Sequence, residues 1–174
     1  DYEIYKSKAN WWDVFEIYDE FVNLTTGSDN LVYLNEGDEI DLFGLKMEVF
    51  HSFDSEEMAE DTDPCNNGGM IFKLSAKHDS ILFLADVGAA YSAKLLDKWG
   101  DKLKADYVQM GHHGNGGMDE SVYRMIAPKV AFFDAPESLM QNVELNAPVK
   151  RALMESLGAE ILYYATSPNT IVME

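Results

Sequence analysis

From Asn10 onward apolar residues recur at helical spacing. Trp11, Val14, Phe15, Tyr18, Phe21 and Val22 are separated by Asp13, Glu16, Asp19 and Glu20. One apolar stripe along residues 10–24 predicts an amphipathic helix. Past Gly27–Asn30 the period shortens. Leu31–Leu34, Glu39–Leu42 and Lys46–His51 read as short strands parted by Gly37-Asp38 and Gly44, a small antiparallel set. Residues 52–69 then lose periodicity and gather Asp, Glu, Pro, Asn and Gly. That is longer than the ~12 residues beyond which an unstructured loop is uncommon, so something should order it inside a domain.

The second half alternates more regularly. Met70–Leu74 and Ser80–Ala85, joined by the polar turn Ala76–Asp79, read as a hairpin with a well-buried second strand that ends on Asp86-Val87-Gly88. A helix over 90–99 stops at Gly100, and a strand over 105–110 runs into the glycine-rich Gly111–Gly117. A helix over 119–127 stops before Pro128, strand Val130–Phe133 ends on Asp134, a helix over 147–157 ends at Gly158, and strands over 161–165 and 170–174 close the chain. Strands alternating with helices predict α/β layering. Neither a tandem repeat nor a linker interrupts it, so residues 1–174 read as a single domain.

Composition narrows the classes. With 174 residues, 47% hydrophobic, and nine Phe, nine Tyr and three Trp, the chain can bury a sizeable core, which argues against disorder. No run reaches the ~18 apolar residues of a membrane span; even Ile81–Ala90 is broken by Asp86. No membrane contact is expected of this chain. The single cysteine, Cys65, can form no internal disulfide. A net charge of −18 repels phosphate backbones and disfavours nucleic acid as a partner. The start, Asp1-Tyr2-Glu3, carries neither an initiator Met nor a signal sequence and reads as a chain cut from something longer.

Polar groups in open α/β sheets gather at the carboxyl ends of strands, where loops converge. Asp86, the pair His112 and His113, and Asp134 all have that address. A carboxylate and imidazoles at neighbouring strand ends suit a zinc-type metal, and the flanking glycines allow close backbone approach. Each also has a plain structural role: Asp86 as a helix cap, the histidines as exposed loop residues, and Asp134 as a turn former. His51, ending a strand without evident partners, and His78, in a polar turn, are left out of the site. The acidic loop Glu56–Asp63 fails the calcium-loop pattern, because a register starting at Asp61 places Asn66 at the glycine position and Phe72 at the closing glutamate. Gly111–Gly117 lacks the Gly-Lys-Ser/Thr ending of a phosphate loop.

Taken in order, Asn66-Asn67, an apolar strand, a turn, Ile81–Asp86, a helix and Lys104–Gly114 resemble the second half of a metallo-β-lactamase-fold hydrolase. Within that superfamily the chain is most similar to the branch of the DNA-uptake competence protein hydrolase domain and the phosphorylcholine esterases. Its ending, Gly158–Val172, fits the same branch. The resemblance covers most of residues 31–174 and implies an αβ/βα sandwich of which the carboxy-terminal part is present.

It also implies a function. Asp86 would bridge two metal ions, with His112 the ligand of the second metal and a catalytic residue beside Asp86, or His113 in its place. Asn66 falls where many members carry a first-metal histidine. Asn67 and Asp134 would contact substrate or support the ligands. The cofactor implied is zinc, one or two ions in the intact protein, with manganese or iron as alternatives. The family's His-x-His-x-Asp-His signature, which supplies most ligands, is absent from the 174 residues. The expectation is therefore part of a metal-dependent hydrolase acting on a phosphoester or related small-molecule ester. This part alone would be inactive, and it would associate as a homodimer through the sheet face that a missing half uncovers. The other reading is an acidic, non-catalytic scaffold that kept the fold without a working metal site.

Overall fold

A computed structural model describes residues 23–24, 32–163 and 168–174. The expected helix over 10–24 lies outside these except for its last two residues, which are helical. Among the described residues the framework is a seven-stranded sheet whose spatial order equals its chain order: β1 Glu39–Leu42, β2 Leu45–His51, β3 Ile71–Ser75, β4 Ser80–Phe83, β5 Tyr107–Gln109, β6 Val130–Phe133 and β7 Glu160–Tyr163. β1 to β4 form an antiparallel meander, and β4 to β7 pair in parallel.

Parallel neighbours need crossovers. Helix α3 (Ser92–Trp99) spans β4 to β5, α4 (Glu120–Ile126) spans β5 to β6, and α5 (Glu137–Met140) with α6 (Ala147–Ser156) spans β6 to β7. Right-handed crossovers that all advance in one direction place their helices on one face of a sheet. The burial of alternate strand residues agrees. Leu82, Leu84, Val108, Met110, Ala131 and Phe133 are fully buried and join one core with Leu95, Val122, Tyr123, Ile126 and Met154 from the helices. Their neighbours Ile81, Phe83, Tyr107 and Phe132 point the other way and are half-buried.

That second face is apolar, with the Phe72 and Phe83 rings stacked 4.7 Å apart. The end of the chain partly covers it. Glu174 accepts the His78 N–H at 2.6 Å and gives its own N–H to Asp79 at 2.9 Å. Ile171 and Met173 share a cavity of about 240 Å³ with Ile81, Tyr107 and Phe132. The expected association of copies through a bare sheet face thus meets a face that residues 168–174 already shield in part.

Two expected strands are corrected. Residues 32–34 pair with no strand, and residues 170–174 are extended without joining the sheet. Alternation alone drove both readings, and a run with the composition of a strand forms one only where packing and pairing favour it. The long loop is ordered by two short helices, α1 (Ser55–Ala59) and α2 (Pro64–Asn67). Asp54 caps α1 by accepting the N–H groups of Glu56 and Glu57.

At the opposite end of the parallel strands from their carboxyl termini, Asp106 accepts the Ser80 N–H at 3.0 Å and the Ser80 hydroxyl at 3.2 Å, and pairs with Lys129 at 2.7 Å. Burial opposes its ionisation, but the bonds from Lys129 and Ser80 outweigh burial and hold the carboxyl below its ordinary 3.8. A carboxylate depressed on folding stabilises above its unfolded pKa and loses that contribution as pH falls through the folded value. Asp106→Asn is therefore expected to lower stability at pH 7, with the deficit shrinking once pH drops below 3.8. Urea denaturation of both proteins at pH 7 and pH 3 checks this; an equal deficit at both would show that Asp106 acts through shape alone.

Candidate functional site

The carboxyl ends of β4, β5 and β6 lie side by side because these strands are sequential and parallel. Pairing runs slightly past the strands. The Leu84 N–H reaches Gln109 Oε1 at 3.2 Å, and the Met110 N–H reaches the Phe132 carbonyl at 2.9 Å. The backbone then turns abruptly. Ala85, His112 and His113 take left-handed conformations, with φ of 49°, 50° and 58°. Such geometry costs a residue with a side chain about 1–2 kcal/mol, and concentrated strain of this kind is characteristic of functional sites. The His112 N–H donates to the Ala85 carbonyl at 2.8 Å, tying the turn before Asp86 to the histidine pair.

Glycines make that turn possible. Gly117 has φ of 72°, and a Cβ there would stand 2.6 Å from the Gly111 carbonyl oxygen. Gly114 has φ of 78° and lies against the Phe133 ring, which a Cβ would meet at 2.4 Å. Beneath Gly111, the Tyr123 hydroxyl is buried against the backbone of the loop. Burial pushes its pKa well up, so it stays protonated.

His113 stands between two carboxylates. Its Nδ1 is 3.2 Å from Asp134 Oδ2, and its Nε2 is 3.8 Å from Asp86 Oδ2. Gln109 Nε2 in turn donates to Asp134 Oδ1 at 3.3 Å. The two ring nitrogens thus face one carboxylate each. His112 lies apart. Its ring packs over Gly116 and stands edge-on to His113 with centroids 6.0 Å apart. Asp86 does not cap the following helical turn, whose cap position is Gly88.

The two asparagines part company. Asn66 Nδ2 donates to Asp63 on its own helical turn at 2.9 Å, away from the other candidates. Asn67 is buried. Its Oδ1 accepts the Gly88 N–H at 2.8 Å, its Nδ2 donates to Asp61 at 2.9 Å, and its carbonyl accepts from His51 Nε2 at 2.7 Å. Tyr91 donates its hydroxyl to Asp61 at 2.8 Å and packs on the His51 ring at 5.0 Å. Burial, with the Asp61 bond, drives the Tyr91 pKa upward.

Compared with solved structures, the chain is similar to a point mutant of the CmlA β-hydroxylase, with a TM-score of 0.53 and 11% identity over 83% of this chain and 34% of that one. It is also similar to the metallo-β-lactamase fold protein YhfI from Bacillus subtilis, with a TM-score of 0.50 and 8% identity over 84% of this chain and 58% of that one. A third likeness is to Igni18, a metallo hydrolase from the archaeon Ignicoccus hospitalis, with a TM-score of 0.50 and 13% identity over 87% of this chain and 64% of that one. The chain has the metallo-β-lactamase fold. It spans between about a third and just under two thirds of the length of these structures. No family model matches the chain, and no curated protein matches it by sequence.

A metallo-β-lactamase fold raises the question of a metal, and the donor set answers in part. Asp86 Oδ2 and His113 Nε2 are oxygen and nitrogen donors of the kinds zinc accepts. Their 3.8 Å separation exceeds a hydrogen bond. It is near the ~3.4 Å between two donors that share one tetrahedral zinc at bond lengths of ~2.0–2.1 Å. Asp134 holds the second ring nitrogen, as carboxylates commonly do behind a ligating histidine. No group of three or more His, Cys, Asp or Glu is arranged to hold a metal among the described residues. A zinc site needs three or four protein ligands, and Asp86 with His113 falls short of that number among the described residues.

Two residues on this side of the molecule escape a reading of the sequence. His51 looks partnerless in the chain but is 3% exposed and hydrogen-bonded. A register shift between Val49 and His51 turns it inward, and strand alternation carries no trace of such a bulge. Asp61 reads as one charge in a solvated acidic run, whereas it joins Asn67 and Tyr91.

Proposed function

We propose that this chain is the carboxy-terminal part of a metal-dependent hydrolase, most similar to the competence-protein and phosphorylcholine-esterase branch, and that it acts on phosphoester or related ester bonds. Asp86 and His113 are its contribution to the metal centre, with Asp134 orienting His113. The observation that supports this reading is the 3.8 Å gap between His113 Nε2 and Asp86 Oδ2, framed by three strained residues at adjoining strand ends. A zinc ion bound there would supply Lewis acidity and a water that ionises near pH 7. The remaining ligands come from residues beyond Asp86 and His113, and no turnover is expected of this chain by itself.

Elemental analysis of the purified chain, dialysed without chelator, tests the reading. The expected result is zinc, weakly held, that Asp86→Ala and His113→Ala remove and His112→Ala leaves in place. Equal zinc in the wild type and Asp86→Ala would overturn the metal role. Hydrolysis of a generic phosphodiester with added zinc, above that of Asp86→Ala, would overturn the expectation that this part is inactive. Zinc in none of the four proteins would favour an acidic scaffold that keeps the fold without the metal.

A further inference from the structure

We propose that Asn67, together with Asp61, is the positioning device for Asp86, holding its turn from the side opposite the histidine loop. This rests on the reading of Asp86 as a metal ligand. The turn that carries Asp86 is pinned at both flanks. On one, the Ala85 carbonyl receives the His112 N–H at 2.8 Å. On the other, the Gly88 N–H is given to Asn67 Oδ1, also at 2.8 Å. Between these anchors lie only Asp86 and Val87, and Val87 is fully buried. The carboxylate therefore has little freedom except rotation of its own side chain.

The second anchor is itself fixed. Asn67 is 7% exposed, and both ends of its amide are engaged, so it cannot turn over without breaking two bonds. Asp61 sets the amide's orientation, because a carboxylate accepts and cannot donate, which forces Nδ2 toward Asp61 and Oδ1 toward Gly88. Tyr91, at the start of the crossover after β4, holds Asp61 from behind, and His51 holds the Asn67 carbonyl from the end of β2. A short helical turn with no strong intrinsic stability is thereby tied to the sheet and to the crossover at once. Space is tight as well: a Cβ on Gly88 would sit 3.0 Å from Asn67 Oδ1.

Partners that orient a metal ligand commonly change metal affinity by about 10–100-fold when altered. Asn67→Asp sets a second carboxylate against Asp61, whereas Asp61→Asn keeps an amide oxygen for the Asn67 Nδ2 and turns its own Nδ2 toward the Tyr91 hydroxyl, which can accept. The double variant exchanges donor and acceptor. Asp at 67 accepts from both Gly88 and Asn at 61, and Asn at 61 still accepts from Tyr91. The bond from the Asp63 N–H to residue 61 is left out.

The experiment measures zinc affinity by dye competition and amide hydrogen exchange at Gly88 by NMR, on the full chain, for the wild type, both single variants, the double variant and Asp86→Ala. Asn67→Asp is expected to weaken zinc about tenfold or more and to expose the Gly88 amide to exchange, Asp61→Asn to change both less, and the double variant to recover most of what Asn67→Asp loses. An Asn67→Asp variant that binds zinc as the wild type does, or a double variant no better than Asn67→Asp, would overturn the proposal. Should Asp86→Ala bind zinc like the wild type, the metal role of Asp86 fails by itself, and the clamp is still judged by Gly88. A Gly88 amide equally protected in all five proteins overturns the clamp whatever zinc does.

Discussion

Gly117→Ala is expected to be a severely damaging single-methyl change. Two costs coincide at this position. Its φ of 72° is left-handed, which costs an alanine about 1–2 kcal/mol. Its new Cβ would also stand 2.6 Å from the Gly111 carbonyl oxygen and 2.7 Å from the carbonyl carbon. Backbone cannot swing aside as a side-chain tip can. Relief would have to come from moving Gly111, whose neighbour His112 is bonded to Ala85. The total should reach about 3 kcal/mol or more, in the range reserved for strain at special backbone positions. Gly158→Ala is the natural control, since Gly158 has φ of 84° but nothing within 4 Å of its Cβ position. Only the conformational cost remains there, about 1–2 kcal/mol. Urea denaturation of both variants checks the difference; equal losses would mean that the loop around Gly117 yields freely.

Phe133→Ala carries the second large effect, by a different route. Phe133 is 1% exposed, ends β6 immediately before Asp134, and presents its ring to the space where a Gly114 side chain would be. Truncating a buried phenylalanine typically costs about 3–5 kcal/mol through lost transfer energy and the cavity left behind. Here the cavity opens directly beneath the histidine loop. The expected outcome is a loss of stability in that range, accompanied by faster amide exchange across residues 111–117. Phe132→Ala, on the half-buried opposite face of the same strand, should cost clearly less. A similar cost for both would contradict the one-sided core.

Much of this architecture is legible in the residue pattern, and the failures are informative. Strand Val130–Phe133 and the hairpin around Ala76–Asp79 read correctly because burial on two faces produces unbroken apolar runs with polar stops. Glu39–Leu42 and the helices over 92–99, 120–126 and 147–156 are likewise visible from spacing and from the glycines and proline that end them. Residues 32–34 and 170–174 misled because β-propensity describes fitness for a pleated surface and says nothing about whether a partner edge is available. The convergence of Asp86, the histidine pair and Asp134 followed from the alternation of strands and helices, since three successive parallel strands must end at the same edge. What the sequence left open was the division of labour there. Which histidine turns toward Asp86 depends on φ angles and on a contact from Asp134, and neither leaves a mark on spacing. Asn67 and Asp61 were hidden for a related reason. Their bonds join segments far apart in the chain, and loop composition looks the same whether or not such bonds exist.

The coincidence of spatial and sequential strand order bears on how the chain reaches this state. No strand has to be inserted between two that have already paired. Hairpins β1–β2 and β3–β4 close over short loops and nucleate locally, and each later strand docks onto an edge that is already waiting for it. Loop closure is then met one strand at a time, although each parallel strand arrives through a whole helical crossover, the non-local pairing that slows folding. The sheet can grow in the direction of synthesis, with β4 the template on which the parallel half is laid down.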